Sequence, residues 1–377
     1  MPVRDPPFTM GIEEEYLLVD RTTRDLAPDP PEEMMRECEE LCAGQVTPEF
    51  LRAQIEVGTK VCKNVGEARA DLGRLRGVIA EVAARHGLAP IAASTHPFAT
   101  WQAQKRTPKD RYAALESDMQ ASARRLLICG MHIHIGIDDD NLRIDLMNQY
   151  CYFLPHLLAL STSSPFWMGR DTGLKSYRTT VFRRFPRTGV PDHFDSWSSY
   201  ENYVQLLVDL HCIEDAKKIW WDVRPHPTFG TLEFRVCDVP TKPEATVMIA
   251  ALCQAIIVKL HMLYTRNQGF RLYRRALIEE NKWRAARWGL DGKLIDFGKR
   301  AEVPMRALAV ELLEFIDDVV DELGSREAVN YVHRVLAEGT SADRQLAVYR
   351  RTGDLKAVVQ HLVQETREGV EAPGAGR

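Results

Sequence analysis

Gly11-Ile-Glu-Glu-Glu-Tyr-Leu-Leu-Val19 alternates as an extended strand does, with Glu13 and Glu15 on one face and Ile12, Glu14, Tyr16 and Leu18 on the other. Same-face neighbours on a strand stand about 6.7 Å apart. Two carboxylates that close repel one another unless a cation sits beside them. The same period-two reading applies to Gly130-Met-His-Ile-His-Ile-Gly-Ile137, where His132 and His134 oppose Met131, Ile133, Ile135 and Ile137. In Thr231-Leu-Glu-Phe-Arg-Val-Cys237, Glu233 and Arg235 oppose Leu232, Phe234 and Val236. Each segment predicts a strand with one apolar face and one chemical face.

A fourth segment, Glu49-Phe-Leu-Arg-Ala-Gln-Ile-Glu56, carries two carboxylates seven residues apart. On a helix Glu49 and Glu56 would share a face; if the end is extended, Gln54 and Glu56 share one. Hard divalent cations take oxygen ligands and bridge carboxylates to phosphates, and Mn²⁺ also accepts an imidazole. Glu13, Glu15, Glu233 and His132 suit that chemistry, and either geometry can bring Glu56 toward them. The plain alternatives are a wet acidic face, histidines satisfied by hydrogen bonds, and a cross-strand ion pair between Glu233 and Arg235. Arginines stand among turn residues in Gly169-Arg-Asp-Thr-Gly-Leu-Lys-Ser-Tyr-Arg178 and in Trp220-Trp-Asp-Val-Arg-Pro225. Their forks suit carboxylates and phosphates. No Gly-x-x-x-x-Gly-Lys-Ser/Thr loop exists, so any nucleotide is expected to be held by metals and basic side chains.

Two helices frame these strands. Ala68, Leu72, Leu75, Ile79 and Val82 recur at steps of four and three, with His86-Gly87 as a stop. Leu308, Leu312, Phe315, Ile316, Val319 and Leu323 repeat the pattern before Gly324, and Glu311, Glu314, Asp317, Asp318 and Asp321 form a solvated face. The apolar run Val247–Val258 is read as a buried helix, too short to cross a bilayer.

The 377 residues allow two domains or one large unit, and 45% apolar content excludes a disordered chain. With 49 basic against 53 acidic residues the net charge is −4, which argues against nucleic acid or an anionic membrane as partner. Eight cysteines without a Cys-x-x-Cys pair, and a first decapeptide with three prolines and no apolar core, lead us to expect reduced thiols in the cytoplasm. The tail Glu371–Arg377 is expected to be disordered.

Taken in order, these segments resemble the YbdK-type bacterial carboxylate-amine ligases, a branch related to glutamate-cysteine ligase. Beyond the strands and arginine stretches, Gln54-Ile-Glu-Val57 and Glu280-Asn-Lys-Trp-Arg-Ala-Ala-Arg-Trp-Gly-Leu-Asp291 carry the likeness, which spans about residues 9 to 300. The resemblance implies an α+β fold, a glutamine-synthetase-like antiparallel catalytic sheet backed by helices. A ligase core over residues 1–300 would be followed by a helical segment of the same domain, 301–377. It implies ATP and Mg²⁺ (or Mn²⁺) as cofactors, with Glu13, Glu15, Glu49, Glu56, His132 and Glu233 as metal ligands. Arg235 and Arg178 would neutralise the transferring phosphoryl group, and Arg224 and Arg170 would help hold the nucleotide. The implied reaction passes through an acyl phosphate to an amide, with small carboxylate and amine substrates and a homo-oligomeric enzyme; Tyr150–Pro155 offers apolar surface for assembly. The competing readings are a guanidino phosphotransferase and a non-catalytic binding protein.

Overall fold

A computed structural model describes residues 6–370, so the tail expectation lies outside the described residues. Its centre is an antiparallel sheet. The order is Val46–Pro48, Gln54–Gly58, Met10–Asp20, Met131–Gly136, Thr231–Phe234 and Val223–Pro225, and Leu88–Ile91 pairs with the far end of Met10–Asp20. The alternation read from sequence holds. Ile12, Tyr16, Ile133, Ile135, Leu232 and Phe234 are buried on the helix-backed face. Glu14 also points that way, which places a carboxylate inside the core. The Arg76 guanidinium meets it, Nε to Oε2 at 2.8 Å and Nη2 to Oε1 at 2.6 Å, while Arg76 also donates to the Thr241 and Pro240 carbonyls. A buried charge is tolerable only when paired and hydrogen-bonded in this way.

Arg76 belongs to the helix Val65–Arg85, the one foreseen from Ala68 to Val82. Asn64 caps its start by accepting from the Glu67 amide at 3.0 Å, and Gly87 follows its end at a φ of 72°. Beside it on the same face runs Pro243–Thr265. This helix corrects the argument made for Val247–Val258. At 23 residues it is long and apolar enough to cross a membrane by composition, and what identifies it as a core helix is that 78% of its most apolar stretch is buried within the protein.

The helix expected to reach Leu323 ends earlier, as Met305–Ile316. Asp317, Asp318, Asp321 and Glu322 would crowd negative charge at a helix C-terminus, where the dipole disfavours it. The chain turns instead, and Arg326 collects Asp317 and Asp321. Val319 remains buried. The helices after residue 304 share one continuous core with the sheet: Ile12 and Leu362 belong to it together, and the Ala92 amide donates to Thr366 Oγ1 at 3.0 Å. Tyr150–Pro155 is spent on that core as well, with only Tyr152 partly exposed, so its apolar content is not surplus surface.

Candidate active site

The face of the sheet opposite the two long helices opens into a cavity of about 260 Å³. Strand register decides which side chains meet there. Glu13 stands directly across from His132, Glu233 across from His134, and Glu15 across from Glu56. Two groups of ligand-type residues result.

In the first group, Glu13 Oε2 lies 3.0 Å from His132 Nδ1 and Glu13 Oε1 lies 3.4 Å from His134 Nε2. Donor atoms of Glu13, His134 and Glu233 fall within 4.8 Å of one another. Burial would raise the Glu13 carboxyl, but hydrogen bonds and charge from His132 and His134 outweigh it and hold Glu13 well below the usual carboxylate range. Burial, helped by the Arg235 charge, pushes His132 down to about 4, so it is a neutral imidazole at pH 7. His134 Nδ1 contacts Thr231 Oγ1 at 3.1 Å, and its buried Nε2 has Glu13 Oε1, at that 3.4 Å, as its ion-pair neighbour.

The second group is all carboxylate. The turn between Val46–Pro48 and Gln54–Gly58 folds Glu49 back toward Glu15 and Glu56, so the segment is a hairpin and the helical alternative is excluded. Burial, then the neighbouring Glu49 charge, pushes Glu15 up to about 8, and the same two causes raise Glu56 well above its ordinary value. The Gly130 amide donates to Glu15 Oε2 at 2.8 Å. Three mutually repelling carboxylates here, and the imidazole nitrogens facing Glu13, form donor sets that suit a hard divalent cation.

Arginines close the ring. Glu233 is gripped by Arg224, Nε to Oε2 at 2.7 Å, and by Arg235 Nη1. Burial would raise Glu233; the charges of Arg235 and Arg224 keep it ionised far below the carboxylate norm. Arg224 is also committed to the Lys217 and Ile219 carbonyls at 3.1 and 2.5 Å, which makes it a brace for Glu233. Arg178 reaches in from the helix Tyr177–Phe182 and donates to the Arg235 carbonyl at 3.1 Å. The Nε atoms of Arg178 and Arg235 are buried and, among the described residues, have no hydrogen-bond partner. A β-carbon on Gly130 would fall 2.5 Å from Arg178 Nη2, so the missing side chain is what lets the guanidinium pass.

The glutamate-cysteine ligase family 2 model matches residues 9–361. The chain belongs to that family. Relatives provisionally named glutamate--cysteine ligase 2 include one from Roseiflexus castenholzii, 56% identical over 97% of this chain and 96% of its own length. Another, from Herpetosiphon aurantiacus, is 55% identical over 98% and 97%. The glutamate-cysteine ligase of Francisella tularensis, solved with AMP, has the same fold, with a TM-score of 0.69 at 15% identity over 97% of this chain and 90% of that one. A bifunctional glutathione synthetase from Pasteurella multocida gives 0.71 at 14% identity over 95% and 52%. This family 2 member is therefore an ATP-dependent carboxylate-amine ligase with the antiparallel catalytic sheet its sequence resemblance implies.

Within the family 2 site the cavity brings together Glu13, Glu15, Glu49, Glu56, His132, Glu233, Arg178, Arg224 and Arg235. Arg170 stands apart. Phe166–Trp167 and Arg170–Asp171 pair in a tight hairpin whose turn, Met168 and Gly169, has positive φ at both residues, and this aims Arg170 at solvent. Trp221 is core and Trp220 lines the cavity. Sequence reasoning placed His134 on the chemical face with His132 but left it out of the ligand set, and gave Gly130 no role. It also passed over Asp222 and Lys282, an ion pair of 2.6 Å with both side chains 6% exposed. The Asp222 carbonyl accepts from the Arg235 amide at 2.7 Å, and no local signal pairs two residues sixty positions apart.

Proposed function

We propose that this ligase activates a substrate carboxylate as an acyl phosphate at the Glu13–Glu15 face and passes the acyl group to an amine. The observation that carries the reading is the juxtaposition in one cavity of two acidic donor sets with two arginines whose buried Nε–H groups lack acceptors among the described residues. The carboxylate oxygen attacks the γ-phosphorus, the bond to ADP breaks, the amine attacks the acyl carbon, and phosphate leaves with release of a proton. Arg235 and Arg178 aim donors at anionic oxygens in a site walled by Phe50, Phe182, Phe185 and Trp220, where exclusion of water strengthens each charge interaction.

Glu13, Glu233 and a histidine of the Met131–Gly136 strand would hold one divalent ion, and Glu15, Glu49 and Glu56 another. Bound Mg²⁺ or Mn²⁺ would neutralise triphosphate charge. At pH 7 neutral His132 keeps a lone pair for such an ion, and ionised Glu13 and Glu233 supply charge. The eight cysteines are all free thiols, which supports a reducing, cytoplasmic setting. Assembly as a homo-oligomer rests on the family resemblance alone.

The test is product analysis with Mg²⁺ or Mn²⁺ over pairs of amino acids; glutamate and cysteine, the pair in the relatives' names, come first. ADP, phosphate and an amide are expected, and excess chelator should abolish all three. Glu13→Gln, Glu15→Gln and Glu233→Gln should each cut turnover more than about tenfold with the fold intact. AMP with pyrophosphate, a phosphorylated guanidine product, or full activity in chelator would overturn the reading.

A further inference from the structure

We infer that Asp238 is a positioning residue that holds Arg178 in the catalytic cavity. The inference rests on the role proposed above for Arg178. Asp238 is 0% exposed and, among the described residues, has no ion-pair partner within 4 Å. Its carboxylate accepts three hydrogen bonds instead: from the Ser163 amide at 2.8 Å, Ser164 Oγ at 2.7 Å and Ser176 Oγ at 2.8 Å. All three serines are buried. A charge so placed costs stability unless its bonds are complete, so the set of partners shows what the carboxylate organises.

Two of the three partners lead to Arg178. Ser164 Oγ, while donating to Asp238, accepts from the Arg178 amide at 3.1 Å. Ser176 is the residue from which the Tyr177–Phe182 helix starts, two positions before Arg178. At the other end of the side chain, Arg178 Nη2 and Nη1 donate to the carbonyls of Arg235 and Val236 at 3.1 and 3.4 Å, on the chain that runs into Asp238. Asp238 also bridges Gly130, the glycine that leaves room for the guanidinium. The backbone and the head group of Arg178 are therefore fastened to a single bracket whose joint is the Asp238 carboxylate. Serine hydroxyls can donate and accept at once, which lets one anion organise two chain segments around the arginine.

The experiment is a double-substitution cycle on the full chain, with Asp238→Asn and Arg178→Ala made singly and together and amide formation measured under saturating ATP and Mg²⁺. Asp238→Asn keeps the shape but turns one acceptor oxygen into a donor facing donors. It should lower kcat at least about tenfold while the KM for ATP stays within about threefold, and in the Arg178→Ala background it should change kcat by less than about twofold. A loss that multiplies with that of Arg178→Ala would show a general structural role and overturn the positioning inference. Wild-type turnover in Arg178→Ala would overturn the reading of Arg178 and this inference with it. Should Asp238→Asn fail to fold, Ser164→Ala runs the same cycle, with a severalfold loss expected alone and none in the Arg178→Ala background.

Discussion

Gly130 and Arg178 share one small volume: the guanidinium occupies the space a β-carbon at residue 130 would need, 2.5 Å from Nη2. Gly130→Ala therefore displaces the flexible end of Arg178 more than it disturbs the sheet. We expect at least a tenfold fall in turnover with a melting temperature within a few degrees of wild type. Parallel activity and calorimetry on one preparation check this; a variant that is fully active contradicts the packing.

Arg235→Lys tests the other arginine. Arg235 binds Glu233 through Nη1 and leaves a buried Nε–H without an acceptor, so two arms of one planar fork serve two tasks. An ammonium keeps the charge but not the fork. Turnover should fall more than tenfold with a smaller change in the KM for ATP, and a lysine variant with at least about half of wild-type turnover would move Arg235 out of phosphoryl stabilisation.

These effects start from residues whose facing was readable in the sequence. Alternation alone placed Glu13, Glu15, Glu233 and His132 on chemical faces, because the period of a strand is a local property. The pairings Glu13 with His132 and Glu15 with Glu56 are matters of register between distant strands, and alternation says nothing about register. Glu49 depended on a turn whose course a seven-residue spacing cannot report, and Arg170 on a hairpin that aims it outward. Asp222, Lys282 and Asp238 act through partners far along the chain, and isolated charged residues give no pattern to read. Misjudging the helix end near Ile316 has a different cause: apolar spacing continued past the point where clustered acids made helix unfavourable.

Glu14 belongs to stability. Its side chain is 0% and that of Arg76 1% exposed, and Thr246 Oγ1 adds a bond of 2.5 Å. Glu14→Gln leaves a buried guanidinium without its counter-charge, for which we expect a loss of about 3–5 kcal/mol. Urea denaturation of the variant checks it; a loss below about 1 kcal/mol contradicts the pairing.

Acid should destabilise the fold through buried histidines. Burial pushes His156 down to about 4 and His96 down to about 3 from 6.5. Between pH 6.5 and the folded values the unfolded chain binds protons that the folded one refuses, so stability falls as pH drops through that window and is flat above it. For His156 the full effect is on the order of 3 kcal/mol, at roughly 1.4 kcal/mol for each pH unit between the two states. Denaturation at pH 7 and pH 4.5 should show a shallower loss in His156→Gln than in wild type; equal losses would remove His156 from the account.

Pro243–Thr265 carries a hazard that arises during synthesis. The ribosome exposes this long apolar segment before the helix Arg326–Glu338 that packs over it. Until that cover arrives, the nascent chain presents a stretch that lipid, insertion machinery and other nascent chains can all bind. Covering that stretch is thus a second consequence of the place the helix Arg326–Glu338 takes in the core. Premature termination near Gly324, which removes the three helices that follow, should yield a product that partitions to membranes or aggregates when lysates are fractionated.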